Sequence, residues 1–152
     1  MGLSLKQEEM VQFLEELKTP GENFTSMLWG TIYADMSDFQ NHSLASQMIA
    51  RAGAAGVAGS LDGAFCYIGL TDQSLYVVAV DSYNTSSITG TFAVPFTTIS
   101  SLKTTKGLGS QTVIIDCGKP ITLTVKSTSI GTNIKDQKQR MADFLTKIEA
   151  LK

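Results

Sequence analysis

Few residues in this chain are of the types that carry acid–base, nucleophilic or metal chemistry, and their spacing says as much as their number. His42 is the only histidine, so a Ser–His–Asp or Cys–His relay would have to run through it. It sits in a polar stretch with no orienting group beside it. Asp38, four residues earlier, could share a helix face with it, but two ligands fall short of the four of a structural zinc site. A solvated surface histidine is the expectation. Cys66 and Cys117 each lie in or beside an apolar, strand-like run. Cysteine is among the side chains most often fully buried, so two reduced core thiols are expected. An enzyme built on either thiol is the least favoured reading. Asp62, Asp72, Asp81 and Asp116 fall at turn-like positions, where turn chemistry accounts for each. Paired catalytic carboxylates need surroundings that split their pKa values. No residue is therefore assigned as catalytic, cofactor-binding or metal-ligating, and neither an enzymatic activity nor a cofactor is expected.

Two other groups of residues invite a binding role. Gly53, Gly56 and Gly59 recur every third residue, but no strand directly precedes them and no Gly-Lys-Ser/Thr follows. They form neither a phosphate loop nor a dinucleotide fingerprint. They read as a flexible or closely packed loop, a hinge, or a small-residue contact between subunits. Their weak apolarity would tolerate a membrane surface but lacks the basic face that strengthens such contact. Lys103, Lys106, Lys119 and Lys126 are expected toward one end of a sheet, as solvated lysines that protect strand edges. The net charge is −2 and the pI is near 5.3. No basic excess exists to hold a polyphosphate, so nucleic acid is not an expected partner.

These residues must be positioned by a small globular domain. With 152 residues, one domain is expected, burying roughly 68–70% of its unfolded surface. Apolar residues are 43% and charged residues only 17%, which argues against disorder through charge. Residues 1–18 are charged and amphipathic, unlike a secretory signal. Lys6 departs from the myristoylation pattern, and residues 48–61 contain Arg51 and are too short to span a bilayer. A cytoplasmic location is expected.

Residues 1–20 read as a helix. Ser4 and Gln7 form a capping box, Met10, Phe13, Leu14 and Leu17 form a stripe, and Pro20-Gly21 stops it. One apolar stripe requires a docking surface, on this domain or another subunit. Residues 24–34 then alternate as a strand, with Met27, Trp29, Thr31 and Tyr33 on one side. Residues 36–62 form a Gly/Ala-rich insertion, expected as a short helix followed by a loop. From Gly63 the pattern is β: runs at 65–70, 75–80, around Phe92, Val94 and Phe96, at 98–103, 111–116 and 121–126. A final helix is capped at Asn133, with Asp136 in its first turn. Met141, Phe144, Leu145, Ile148 and Leu151 form its stripe, and Asp136–Arg140 and Asp143–Lys147 are ion pairs on its outer face.

Seven consecutive strands with short turns imply an antiparallel sheet that twists and tends to close. The order resembles that of bacterial pleckstrin-homology-like (PH-like) domains over residues 21–152. The residues that carry the resemblance are Gly21-Glu22 before the first strand, the hairpin from Gly63 to Val78, and Val94-Pro95-Phe96 followed by Ile99-Ser100-Ser101-Leu102. Lys106-Gly107-Leu108-Gly109 and Phe144-Leu145 add to it. Ser74 stands where that family usually carries Arg or Lys, and the N-terminal helix lies outside the resemblance. The resemblance implies a mainly β fold: a seven-stranded antiparallel barrel or sandwich capped by a C-terminal amphipathic helix. It also implies a binding function.

The leading expectation is a non-catalytic module that takes a protein or peptide partner, or a second copy of itself, at a sheet edge or in the groove beside the last helix. The alternative is a peripheral domain for lipid head groups. Phosphate needs cationic partners, and around the first two strands only Arg51 offers one, with Asp35 and Asp38 nearby.

Overall fold

The computed structural model describes residues 5–35, 60–80, 88–107, 109–116, 120–127, 132 and 134–151. Among them are two α-helices, α1 (Gln7–Leu17) and α2 (Gln137–Glu149). The seven strands are β1 (Ser26–Asp35), β2 (Ser60–Leu70), β3 (Ser74–Val80), β4 (Ile88–Pro95), β5 (Ser101–Gly107), β6 (Ser110–Asp116) and β7 (Pro120–Lys126). The strands form one antiparallel sheet in the order β4-β3-β2-β1-β7-β6-β5. The fold is mainly β, as the alternation implies.

Among the described residues the expected closure is absent. β4 and β5 are the two edges, and the sheet does not join them. Pro95 ends β4 without an N–H to continue the ladder, and a 3-10 turn at Phe96–Thr98 carries the chain across to the other edge. The sheet also parts near its middle. β1 and β7 pair only from Gly30 to Tyr33. Gly30 is required there: a Cβ would lie 2.5 Å from the Thr124 carbonyl oxygen.

α2 fills the gap where β1 leaves β7. Gln137 is 1% exposed, and its amide donates to the carbonyls of Trp29 (2.9 Å) and Lys126 (2.8 Å). One residue thus satisfies backbone groups from both separated strands. Phe144, Leu145 and Ile148 bury beside it, in a core with Leu28, Ile68, Val77, Val113 and Leu123. Met141 is half-buried against that core. Leu151 lies beyond the helix end and is 38% exposed, not buried with the stripe.

The opposite face of β1, β2 and β3 is covered by α1. Met10, Leu14 and Leu17 bury against Trp29, Tyr67, Tyr76 and Val78, each contributing about 1.5–3 kcal/mol by its removal from water. The stripe therefore docks on its own sheet. Because the core lies beneath and α1 above, every residue of β3 is buried. Gly69 brings Leu14 and Phe24 close to β2, where a Cβ would meet the Phe24 ring at 2.5 Å.

Several boundaries differ from the sequence reading. α1 starts at Gln7 after Lys6, with no side-chain cap. Its Gln7 carboxamide instead accepts the Lys135 N–H, and Ser4 lies outside the described residues. α2 starts at Gln137, not after Asn133. Ile134 is 1% exposed beneath α1, so the chain completes that contact before turning at Asp136, whose φ of 62° is left-handed. β5 begins at Ser101 because Phe96–Thr98 form the 3-10 turn. Residues 60–62, read as part of the insertion, belong to β2 and pair with β1 as far as Asp35. The register skips Gly63 there, which marks a bulge. The rest of the insertion lies outside the described residues.

Candidate functional site

The residues weighed for chemistry do not converge. His42, Asp38, Arg51, the three spaced glycines, Asp81, Cys117 and Lys119 lie outside the described residues. Asp62 is in β2 rather than at a turn, because β1 extends far enough to pair with it. Asp72 occupies an exposed turn and Asp116 ends β6. Cys66 is fully buried on the core face of β2. Burial pushes its thiol well above the ordinary range, and a hydrogen bond with the Gly30 backbone offsets this only in part. Such a thiol is a poor nucleophile. Among the described residues, no three His, Cys, Asp or Glu side chains come together to hold a metal ion, and no helix is long and apolar enough to cross a membrane.

The lysines are spread by the register. Lys126 pairs with Ser110 at one end of β6, and Lys103 pairs with Ile114 near the other. Lys106 is odd-numbered steps from Lys103 along β5, so it points to the opposite face. Lys103, Lys106 and Lys126 thus form no cluster for an anionic surface.

The most elaborate polar group is structural. Glu22 is 6% exposed and accepts hydrogen bonds from Thr71 Oγ1 (2.6 Å) and Tyr76 OH (3.0 Å). Tyr76 OH accepts the Thr19 N–H at 3.0 Å. Thr71 Oγ1 accepts the N–H groups of Gln73 and Ser74, closing the β2–β3 turn. At the other end of α1, Tyr67 OH accepts the Lys6 N–H at 3.1 Å. Two buried tyrosine hydroxyls therefore anchor the two ends of α1. Nothing in the spacing of Glu22, Thr71 and Tyr76 announces this group; only the fold assembles it.

An open surface lies at the β5 edge. Among the described residues β5 pairs with β6 alone, and its residues are half-buried or exposed throughout. Leu102 is half-buried against the core, and its neighbours Ile99, Ser100 and Ser101 line a hollow of about 280 Å³ closed on the far side by Leu151. Thr104 Oγ1 donates to Glu149 Oε1, so the end of α2 runs beside the strand. The arrangement offers an edge strand next to an apolar hollow, with Lys103 and Lys106 exposed along it. It can add an extended segment through backbone hydrogen bonds and hold one apolar side chain. Sequence reading placed Leu151 in the buried stripe and so missed this wall. The available signal was its place beyond the i, i+3, i+4, i+7 set that runs from Met141 to Ile148.

No family model matches this chain, and neither a curated protein nor a solved structure matches it.

Proposed function

We propose that this chain is a non-catalytic interaction module that binds an extended segment of a protein partner along β5, beside the end of α2. The observation that carries the reading is the exposed β5 edge next to the hollow formed by Ile99, Leu102 and Leu151. An edge strand presents unpaired N–H and C=O groups, and proteins usually cover or blunt such edges. Here the lysines blunt it against like-charged copies, since like charges across paired strands are destabilising. The partner is therefore a different chain, with an apolar residue for the hollow. The same reading takes the chain as a PH-like domain, supported by the motifs that carry the resemblance and by seven antiparallel strands followed by one packed helix.

The test is a random-peptide selection, with the selected peptide mapped by amide chemical shifts. Peptides are expected to perturb residues 99–107 and Leu151. Leu151→Glu, at an exposed position, is expected to abolish binding while leaving the fold intact.

A further inference from the structure

The two ion pairs expected on the outer face of α2 do not form, and where their cations go instead creates a second site, independent of the β5 edge. Arg140 donates from Nε to the Lys135 carbonyl (2.7 Å) and from one terminal nitrogen to the Met27 carbonyl (3.1 Å). Lys147 Nζ donates to the Thr25 carbonyl (2.9 Å) and to Ser26 Oγ (3.1 Å). Both side chains lie across the start of β1, on the edge that β7 has left. Carbonyls at 25, 27 and 29 are thereby met by Lys147, Arg140 and Gln137, all on one face of α2. This explains where the cations sit. It does not neutralise them. Among the described residues, the one ion pair joins Lys18 and Glu15.

Beside these cations is a hollow of about 250 Å³ lined by Phe24, Thr25, Ser26, Met27, Arg140 and Asp143. Arg140 has most of its N–H donors uncommitted, and the Lys147 ammonium retains one. Asp143 accepts from Gln139 (3.1 Å) and lines the hollow opposite an anion, but Lys147, held at the margin on Thr25 and Ser26, offsets its charge. Phe24 and Met27 give the hollow an apolar wall. Its volume is below the roughly 300–1,000 Å³ of sites for drug-sized ligands, so its occupant is small.

We infer that this hollow binds a small monocarboxylate with an apolar body, its carboxylate on Arg140 and its hydrocarbon against Phe24 and Met27. Planar guanidinium groups suit carboxylate oxygens, and the wall selects against a bare ion. The experiment is a titration of the full chain with sodium hexanoate, followed by amide chemical shifts, at constant ionic strength set with sodium chloride. Sodium acetate is titrated in parallel. Saturable shifts are expected at Ser26, Met27, Arg140 and Asp143, at lower concentration for hexanoate than for acetate. Arg140→Gln could loosen α2, so the deciding variant is Asp143→Asn, at an exposed position outside the core. Removing one like charge near the ligand is expected to tighten hexanoate binding about five-fold. Shifts that fail to saturate, that appear at lysines over the whole surface, or that are the same in Asp143→Asn would overturn the assignment.

Discussion

The two halves of the sheet are built from the same kind of antiparallel ladder but treat their outer faces differently. In the β1–β4 half, Trp29, Tyr67 and Tyr76 point away from the core and are buried all the same, because α1 covers them. Across β7, β6 and β5, and on the end of β1 that pairs with β7, the outer positions form cross-strand rows that are half-buried or exposed. One row runs Thr31, Thr124, Thr112 and Thr105; the next runs Tyr33, Thr122, Ile114 and Lys103. Tyr33 is 57% exposed and Ile114 36%. The difference is written as periodicity. Residues 75–80 are apolar on both faces, whereas 121–126 alternate apolar with threonine or lysine, the pattern of a sheet with one wet face. The first half uses its surface for stability, and the second keeps both a face and an edge accessible.

This contrast can be broken by mutation. Leu14→Ala, in the covered half, is expected to cost about 2–5 kcal/mol, because it empties a fully buried site between Gly69 and the aromatic face. The matching change in the open half, Ile114→Thr, is expected to stay within about 0.5 kcal/mol. Denaturant melts of the two variants check this; similar losses would mean that the halves do not differ as described. The join between the halves comes next. Gln137→Leu keeps the volume but strips partners from the carbonyls of Trp29 and Lys126, at an expected cost of about 1–3 kcal/mol. The melt of this variant should fall between those of the first two.

A smaller effect, confined to alkaline pH, reports on the α1 anchor over a background from the buried Cys66 thiol. Burial pushes the Tyr67 hydroxyl up to about 12; the Lys6 N–H bond counters this in part, and the Glu9 charge adds to it. The unfolded chain ionises near pH 10, so between about 10 and 12 it releases a proton that the native state retains. Stability is therefore expected to decline as pH rises through that window. Tyr67→Phe should flatten this decline. An unchanged alkaline slope in the variant would assign the effect to another group.

The strands and both helices were legible because each has its own hydrophobic period, and period survives without knowledge of neighbours. What was not legible depends on side chains that meet only after folding. Gln137 reads as an ordinary polar helix residue, and its role exists only because β1 and β7 separate. Arg140 and Lys147 carry helical spacing to Asp136 and Asp143, but nearby unpaired carbonyls of β1 draw them away. Asp62 looked like turn chemistry because Gly63 beside it suggested a strand start, whereas Gly63 is a bulge inside the strand. The candidate edge was half legible. β5 is weakly apolar, as an edge strand should be, but the wall at Leu151 required knowing where α2 ends.

The proposal that β5 takes up an extended segment of another chain can be checked at the strand itself. The most direct measurement is backbone hydrogen exchange at residues 101–107, free and with a selected peptide bound. Amides on the outer edge of β5 are expected to exchange freely in the absence of peptide, to become protected when it binds, and to lose that protection in Leu151→Glu. Protection that instead appears along β4, or a bound peptide that leaves the β5 amides exchanging as before, would contradict it.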